Sequence, residues 1–282
     1  MKRRYFPIRA RAGAIAPLLA LTTAASLTAK PNVVTVVATD FAFGMPDSIP
    51  AGLTRFELKD HGKWQHHMGV YRLDSGRTAA DGLDALIQAG RGVRPSWMHP
   101  IGGPNAAMPG AAENATLVLE PGSYIAYCEI PGPDPARHYA KGMVKGFVVT
   151  PRSHGGDLPK ADLAIDLVDY DFVLSHELTR GHHVISVTNS SRQPHMLAIR
   201  RFPIDHPPGT AGSELVAWAA DPKGTIGPAE AAGGVTELAP GSHVVFERDF
   251  EKGMYLLICF TADAADGKPH FRHGMQKEII VR

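Results

Sequence analysis

The sequence predicts an all-β chain folded as two Greek-key sandwiches in tandem. Three observations lead there: a self-match at an offset near 131 residues, a succession of short runs rich in β-branched, aromatic and aliphatic residues, and a length of 282 residues, which suits two domains of about 100 to 150 residues. Pro (23) and Gly (29) are plentiful, as expected of strands joined by turns.

The self-match is read from several anchors. Asp40-Phe41 aligns with Asp171-Phe172, Pro109-Gly110 with Pro240-Gly241, Gly122 with Gly253 and Cys128 with Cys259, all at one register. Gln65-His66-His67-Met68 ahead of Arg72-Leu73 answers Gln193-Pro194-His195-Met196 ahead of Arg201-Phe202. Beyond each cysteine, His138-Tyr139-Ala140-Lys141-Gly142-Met143 answers His270-Phe271-Arg272-His273-Gly274-Met275. The expected organisation is a leader over 1–29, a first domain over 30–150, a linker over 151–160 where Pro, Ser and Gly cluster, and a second domain over 161–282.

Strands are expected at Val33 to Phe43, Thr54 to Leu58, Met68 to Leu73, Ala115 to Leu119, Ser123 to Cys128 and Val144 to Val149. The second half repeats them at Leu163 to Leu174, His183 to Thr188, Met196 to Phe202, His243 to Phe246, Tyr255 to Cys259 and Glu278 to Val281. Each half also carries an insertion after its His-bearing strand. In the first, Leu83, Leu86 and Ile87 have helical spacing behind a capping box at Thr78 and Asp81; Ser213 to Ala220 is the corresponding candidate in the second.

The leader is read from five basic residues, Lys2, Arg3, Arg4, Arg9 and Arg11, ahead of an apolar run from Ala12 to Ala29. Arg3-Arg4-Tyr5-Phe6 resembles a twin-arginine signal, and an ordinary secretory signal fits equally well, so a periplasmic or secreted location is expected. Without residues 1–29 the formal charge falls from +1 to −4. No basic stripe remains for nucleic acid, and no membrane span is expected in the mature chain.

The chemistry lies in the repeated Cys, His and Met. An isolated upstream His, followed much later by Cys, His and Met on one loop between the last two strands, is the ligand order of a blue copper site. One thiolate and two imidazoles hold copper in a trigonal arrangement, and a weak axial thioether tunes the potential. Met disfavours zinc, whose structural sites prefer Cys and His.

On these residues both halves resemble cupredoxins, the fold of plastocyanin and azurin, over nearly all of the mature chain. The resemblance implies cupredoxin-like sandwiches with one type 1 copper in each domain. The implied ligands are Cys128, His138 and Met143 in the first half and His195, Cys259, His270 and Met275 in the second. The upstream ligand of the first half is His66 or His67, which strand alternation points to opposite faces. The following Met favours His67, whereas the distances to Asp60 and Arg72 favour His66; the balance tips to His66 and both are retained. The steps from Cys to His, ten and eleven residues, exceed those of small cupredoxins.

A disulfide between Cys128 and Cys259 is disfavoured, because equivalent interior positions of two sandwiches rarely approach closely enough. His273 is expected to be a solvated loop residue, and Met68 and Met196 to be core.

Electron transfer between redox partner proteins is the expected function. A two-domain multicopper oxidase or copper nitrite reductase would need further histidines, yet no His-x-His occurs, and the cysteines are flanked by Tyr127 and Glu129 and by Ile258 and Phe260. No catalytic residue is therefore assigned. Copper storage or delivery, or non-redox binding, is the remaining alternative.

Overall fold

The structure is a computed structural model that describes residues 1–2, 30–89, 94–132, 134, 136–220 and 229–282. The expected leader lies outside the described residues except for its first two positions. Among the described residues, sixteen strands, two α-helices and two one-turn 3-10 helices make up the fold, with eight strands, one α-helix and one 3-10 helix in each half.

The first half contains β1 (Asn32–Thr39), β2 (Ala42–Gly44), β3 (Ser48–Asp60), β4 (Gly69–Leu73), α1 (Ala79–Ala89), β5 (Met98–Gly102), β6 (Ala112–Leu119), β7 (Gly122–Tyr127) and β8 (Val144–His154). The second contains β9 (Leu163–Val168), β10 (Asp171–Leu174), β11 (Gly181–Asn189), β12 (His195–Phe202), α2 (Ala211–Ala220), β13 (Glu230–Leu238), β14 (His243–Phe250), β15 (Gly253–Ile258) and β16 (Gln276–Val281). In each half one layer follows the order β2-β1-β3-β6 or β10-β9-β11-β14, and the other β8-β7-β4-β5 or β16-β15-β12-β13. The opening pair β1 and β3, like β9 and β11, runs parallel; most other neighbours are antiparallel. This is a two-layer Greek-key sandwich built twice.

Alternation forms the core. β1 buries Val34, Val36 and Ala38 and exposes the residues between them more, the period-2 pattern of a strand with one face on a core. Phe56 from β3 meets Phe147 from β8 edge on at 6.3 Å, and Tyr124 from β7 stacks on Phe147 at 5.2 Å, so aromatic rings tie the two layers together. Leu167, Ile185, Phe246 and Leu257 are among the buried aliphatic and aromatic side chains of the second half.

The capping box of α1 forms as expected: the Thr78 amide donates to Asp81 Oδ2 at 2.8 Å and the Asp81 amide to Thr78 Oγ1 at 3.2 Å. Leu86 is buried, but Ile87, expected on the same apolar face, is exposed, because the helix packs through Leu86 and the small face at Gly82. No helix among the described residues is long and apolar enough to cross a membrane.

Three expectations change. The strand read as continuous from Val33 to Phe43 breaks at a turn through Asp40 and Phe41, and that from Leu163 to Leu174 breaks at Asp169 and Tyr170. Phe41 (φ 93°) and Tyr170 (φ 65°) both adopt the left-handed conformation there. The counterpart of Asp40-Phe41 is therefore Asp169-Tyr170, not Asp171-Phe172. The shorter spacing also relates His66 to His195, and the offset reaches 131 only further along the chain. Finally, β8 continues to His154, pairing Ser153 and His154 with Ala51 and Gly52 of β3, so ordered strand extends into the stretch expected to be a linker.

The halves meet edge to edge. β6 bridges β14 through Thr116 and Val245, and β5 bridges β13 through Ile101 and Leu238. Neither β5 nor β13 was expected as a strand: Pro100 interrupts the first and Gly233-Gly234 the second. Gly234 has a positive φ, and a Cβ there would stand 2.0 Å from the Leu197 carbonyl oxygen, so only glycine lets β13 lie this close to β12. Polar groups seal the joint. Asn105 donates through Nδ2 to the carbonyls of Leu197 and Val235, each at 3.0 Å, Arg248 pairs with Glu113, and Arg55 pairs with Glu247 at 2.8 Å.

At the centre of the joint Arg94 donates to Tyr127 Oη at 2.6 Å, to Glu129 Oε2 at 2.9 Å and to Glu237 Oε1 at 2.9 Å, while Tyr71 Oη donates to Glu237 Oε2 at 3.2 Å. Glu237 is 1% exposed, so its charge depends on that guanidinium. Arg94→Met is expected to cost about 3 kcal/mol in chemical denaturation, since a buried carboxylate loses its cation. Adding Glu237→Gln should recover much of the loss; no recovery in the double variant would refute this account of the joint.

Candidate metal centres

Two loops position the candidate ligands, and the same backbone hydrogen bonds shape both. In the first, the Cys128 amide donates to the Met143 carbonyl at 3.2 Å, the Tyr139 amide to the Cys128 carbonyl at 2.9 Å and the Met143 amide to the His138 carbonyl at 3.0 Å. In the second, the corresponding bonds run from Cys259 to Met275 at 3.2 Å, from Phe271 to Cys259 at 3.0 Å and from Met275 to His270 at 3.1 Å. A one-turn 3-10 helix carries each loop histidine, and Gly142 (φ 107°) or Gly274 (φ 101°) reverses the chain into the methionine. That left-handed step explains the glycine before each methionine. The extra residue of the second loop is absorbed in the segment between Ala262 and Pro269, away from the closing bonds.

In the second half the loop brings three donors together. Cys259 Sγ lies 3.4 Å from His270 Nδ1 and 3.8 Å from His195 Nδ1, and one donor atom from each residue falls within 4.8 Å of the other two. All three side chains are fully buried, as is Met275. The imidazole rings are 4.4 Å apart between centroids.

In the first half Cys128 Sγ lies 3.5 Å from His138 Nδ1, and Met143 is fully buried beside them. The rings of His66 and His138 are 4.9 Å apart. His66 occupies the place of His195: the amide of the next residue, His67, donates to Cys128 Sγ at 3.5 Å, as the Met196 amide donates to Cys259 Sγ at 3.4 Å. The His67 ring turns away from the thiol side, and its Nε2 accepts the Glu129 amide at 2.8 Å. His66 Nδ1 does not face the thiol either; it lies 3.0 Å from Asp60 Oδ1.

Electrostatics favour neutral imidazoles. Burial pushes His138 and His270 down to about 4, with repulsion from His66 and His195 respectively adding to it. Burial lowers His195 as well, opposed by Asp169, whose Oδ1 lies 3.2 Å from His195 Nε2. Ring nitrogens in this state keep a lone pair available for a metal. Burial also pushes the thiols up, Cys128 to about 12 and Cys259 to about 11, against the opposing amide bonds to sulfur. A thiolate at either position therefore needs a positive charge beside it, and a cation bound among the imidazoles would supply one. The donor set fits a soft metal, and nothing in it suits a hard oxygen-seeking ion.

Around the second centre, Asp263 accepts from Tyr170 Oη at 2.6 Å, Gln193 Nε2 at 3.1 Å and the Ala265 amide at 2.8 Å. These bonds, Tyr170 foremost, hold its carboxyl well below the usual range. Asp263 Oδ2 stands 3.6 Å from His270 Nε2. The Tyr170 ring meets His270 at 5.6 Å, and Phe41 meets His138 at 5.0 Å. Sequence reasoning missed this pair of aromatic buttresses because their alignment was misplaced by two residues, and their shared positive φ appears only in the fold. His273 is part exposed and lies 3.2 Å from Asp266 Oδ1. Met68 and Met196 are buried core residues, and both cysteines are free thiols.

No protein-family profile matches the sequence, and no curated protein matches it. Among solved structures, the chain is similar to a dithionite-reduced auracyanin from Roseiflexus castenholzii (22% identity, 44% of this chain and 99% of that one, TM-score 0.31). It is also similar to a copper-containing nitrite reductase from Thermus scotoductus (11% identity, 90% and 62%, TM-score 0.25) and to a multicopper oxidase (13% identity, 89% and 88%, TM-score 0.26).

Fully buried thiols of raised pKa react slowly with thiol reagents. In the metal-free folded protein at pH 8, neither Cys128 nor Cys259 is expected to react with a disulfide reagent on the timescale of an unfolded control, and denaturant should release two thiols together. Rapid native-state labelling of either cysteine would contradict the burial described.

Proposed function

We propose that this chain is an exported electron-transfer protein carrying a type 1 copper in each of two domains, 30–150 and 161–282, and passing electrons between redox partner proteins. One observation carries the reading: a thiol and two neutral imidazoles, all buried, converge within 4.8 Å at Cys259, His195 and His270. Met275 on the same loop is the proposed axial ligand. Cys128, His138, His66 and Met143 are their proposed counterparts, and His66 is preferred to His67 because it shares the place of His195 relative to the thiol.

Copper held by such donors supplies a one-electron couple whose coordination changes little between its two states. The protein contributes the rigidity. The loop bonds fix each thiol against its imidazole, and the amides of His67 and Met196 donate to sulfur and so stabilise the thiolate. The buttressing rings of Phe41 and Tyr170 limit rotation of His138 and His270. Burial of every donor keeps water and small substrates from the metal, which suits a carrier better than an enzyme. The residues after the thiols, Glu129 and Phe260, offer no imidazole to couple a second metal through the next residue, which also supports the carrier reading.

Copper-loaded mature protein should show intense visible thiolate-to-copper absorption and a reversible one-electron reduction. Cys128→Ser and Cys259→Ser should each remove about half of that colour, and the double variant all of it, because the thiolate is the chromophoric donor. A colourless copper-loaded protein would overturn the proposal, and so would colour that survives in the double variant.

A further inference from the structure

Among the buried polar positions at which the two thiol pockets differ, one lies six residues ahead of each upstream histidine. In the second it is Asn189, whose Nδ2 donates to the carbonyls of Gln193 at 2.9 Å and Leu238 at 2.8 Å, and whose Oδ1 accepts from Ser191 Oγ at 2.7 Å and the Ser191 amide at 3.0 Å. All of these bonds brace the loop, and none engages His195. In the first it is Asp60, fully buried, which has no amide to donate. Its Oδ1 accepts from the Gly62 amide at 2.8 Å and lies 3.0 Å from His66 Nδ1, while its Oδ2 has no hydrogen-bond partner.

The consequence falls on one atom. His66 Nδ1 corresponds to His195 Nδ1, the nitrogen that stands 3.8 Å from its thiol. An imidazole nitrogen set 3.0 Å from a carboxylate oxygen is the one that donates, so His66 Nδ1 is a donor to Asp60 and has no lone pair for a metal. In agreement, the convergent triad of donors forms in the second pocket, and the described residues of the first form none.

We propose that Asp60 is a latch on the first centre: it holds His66 by Nδ1, so copper enters this pocket more weakly than the second and loads it last. This rests on the copper reading above. Opening the latch moves the His66 proton from Nδ1 to Nε2 and turns the ring toward Cys128, with no net proton lost. Asp40 Oδ1, 3.6 Å from His66 Nε2, is placed to accept that proton, as Asp169 Oδ1 faces His195 Nε2 at 3.2 Å. Asp60 is thus a positioning residue with opposite effects in the two states, stabilising the metal-free pocket at the expense of the loaded one.

The test uses the mature full chain with one centre left intact, Cys259→Ser for the first and Cys128→Ser for the second, titrated with copper against a competing chelator and read by visible absorption and metal content. The first centre should need roughly tenfold or more free copper for half-saturation than the second, the scale on which residues behind a ligand tune metal affinity. Asp60→Asn added to Cys259→Ser should bring the first centre near the second. Asn189→Asp added to Cys128→Ser should weaken the second by a similar factor.

A gain of affinity cannot come from damage to the fold, and the Asn189→Asp arm decides the matter if Asp60→Asn fails to fold. Copper entering the first centre only once Asp60 is replaced would be the latch in its strongest form. Equal affinities of the two centres, or an Asp60→Asn variant that binds copper no better or less well, would overturn the latch. Copper binding at neither centre would instead refute the copper reading itself.

Discussion

The hydrogen bonding that folds each Cys-His-Met loop back on itself is the constraint on which the rest of this structure depends. Cys128 and Met143 are fifteen residues apart, Cys259 and Met275 sixteen, and in both cases the cysteine amide closes the loop on the methionine carbonyl. A second bond returns from the residue after the histidine to the cysteine carbonyl, which fixes the imidazole at the thiol. Because these partners are backbone groups, the arrangement survives differences in loop sequence, and the longer second loop keeps the same geometry. Closing such loops costs chain entropy, which the strands on either side offset by holding the loop ends in one layer.

Burial then gives these loops their chemistry. A thiol and imidazoles withdrawn from water favour their uncharged forms, so burial leaves sulfur and nitrogen lone pairs facing one another in the second pocket. The strained turns at Phe41 and Tyr170 place an aromatic ring against each loop histidine, a use of left-handed backbone that repeats in both halves and therefore reads as part of the design of the pocket. Asp169 bonds the outer nitrogen of His195 at 3.2 Å, whereas Asp40 stands 3.6 Å from that of His66, and Asp60 and Asn189 distinguish the inner ones. Two pockets built on one plan are thus chemically unequal.

The joint between the halves is more than a linker. Edge strands that would otherwise present unpaired backbone are covered by each other, β6 by β14 and β5 by β13. Arg94 gathers Tyr127 and Glu129, the two neighbours of Cys128, and ties them to Glu237, which precedes Leu238, the partner of His195 in its strand pair. The surroundings of one thiol are therefore mechanically continuous with the strand that bears a histidine of the other.

The sequence by itself determined the two-fold β architecture, the capping box of α1 and the order of Cys, His and Met on each loop, because these are set by alternation, by turn residues and by spacings of a few residues. Only the tertiary structure set the His66 ring beside His138 and the His67 ring against the Glu129 amide, since adjacent strand residues differ only in the face they meet. It also decided that Asp169-Tyr170 is the match of Asp40-Phe41, and that Met98–Gly102 and Glu230–Leu238 are strands despite Pro100 and Gly233-Gly234. The contrast between Asp60 and Asn189 was visible as two letters but carried no meaning until the fold set a buried carboxylate beside an imidazole nitrogen. Such outcomes rest on contacts between residues distant in the chain, which local pattern does not encode.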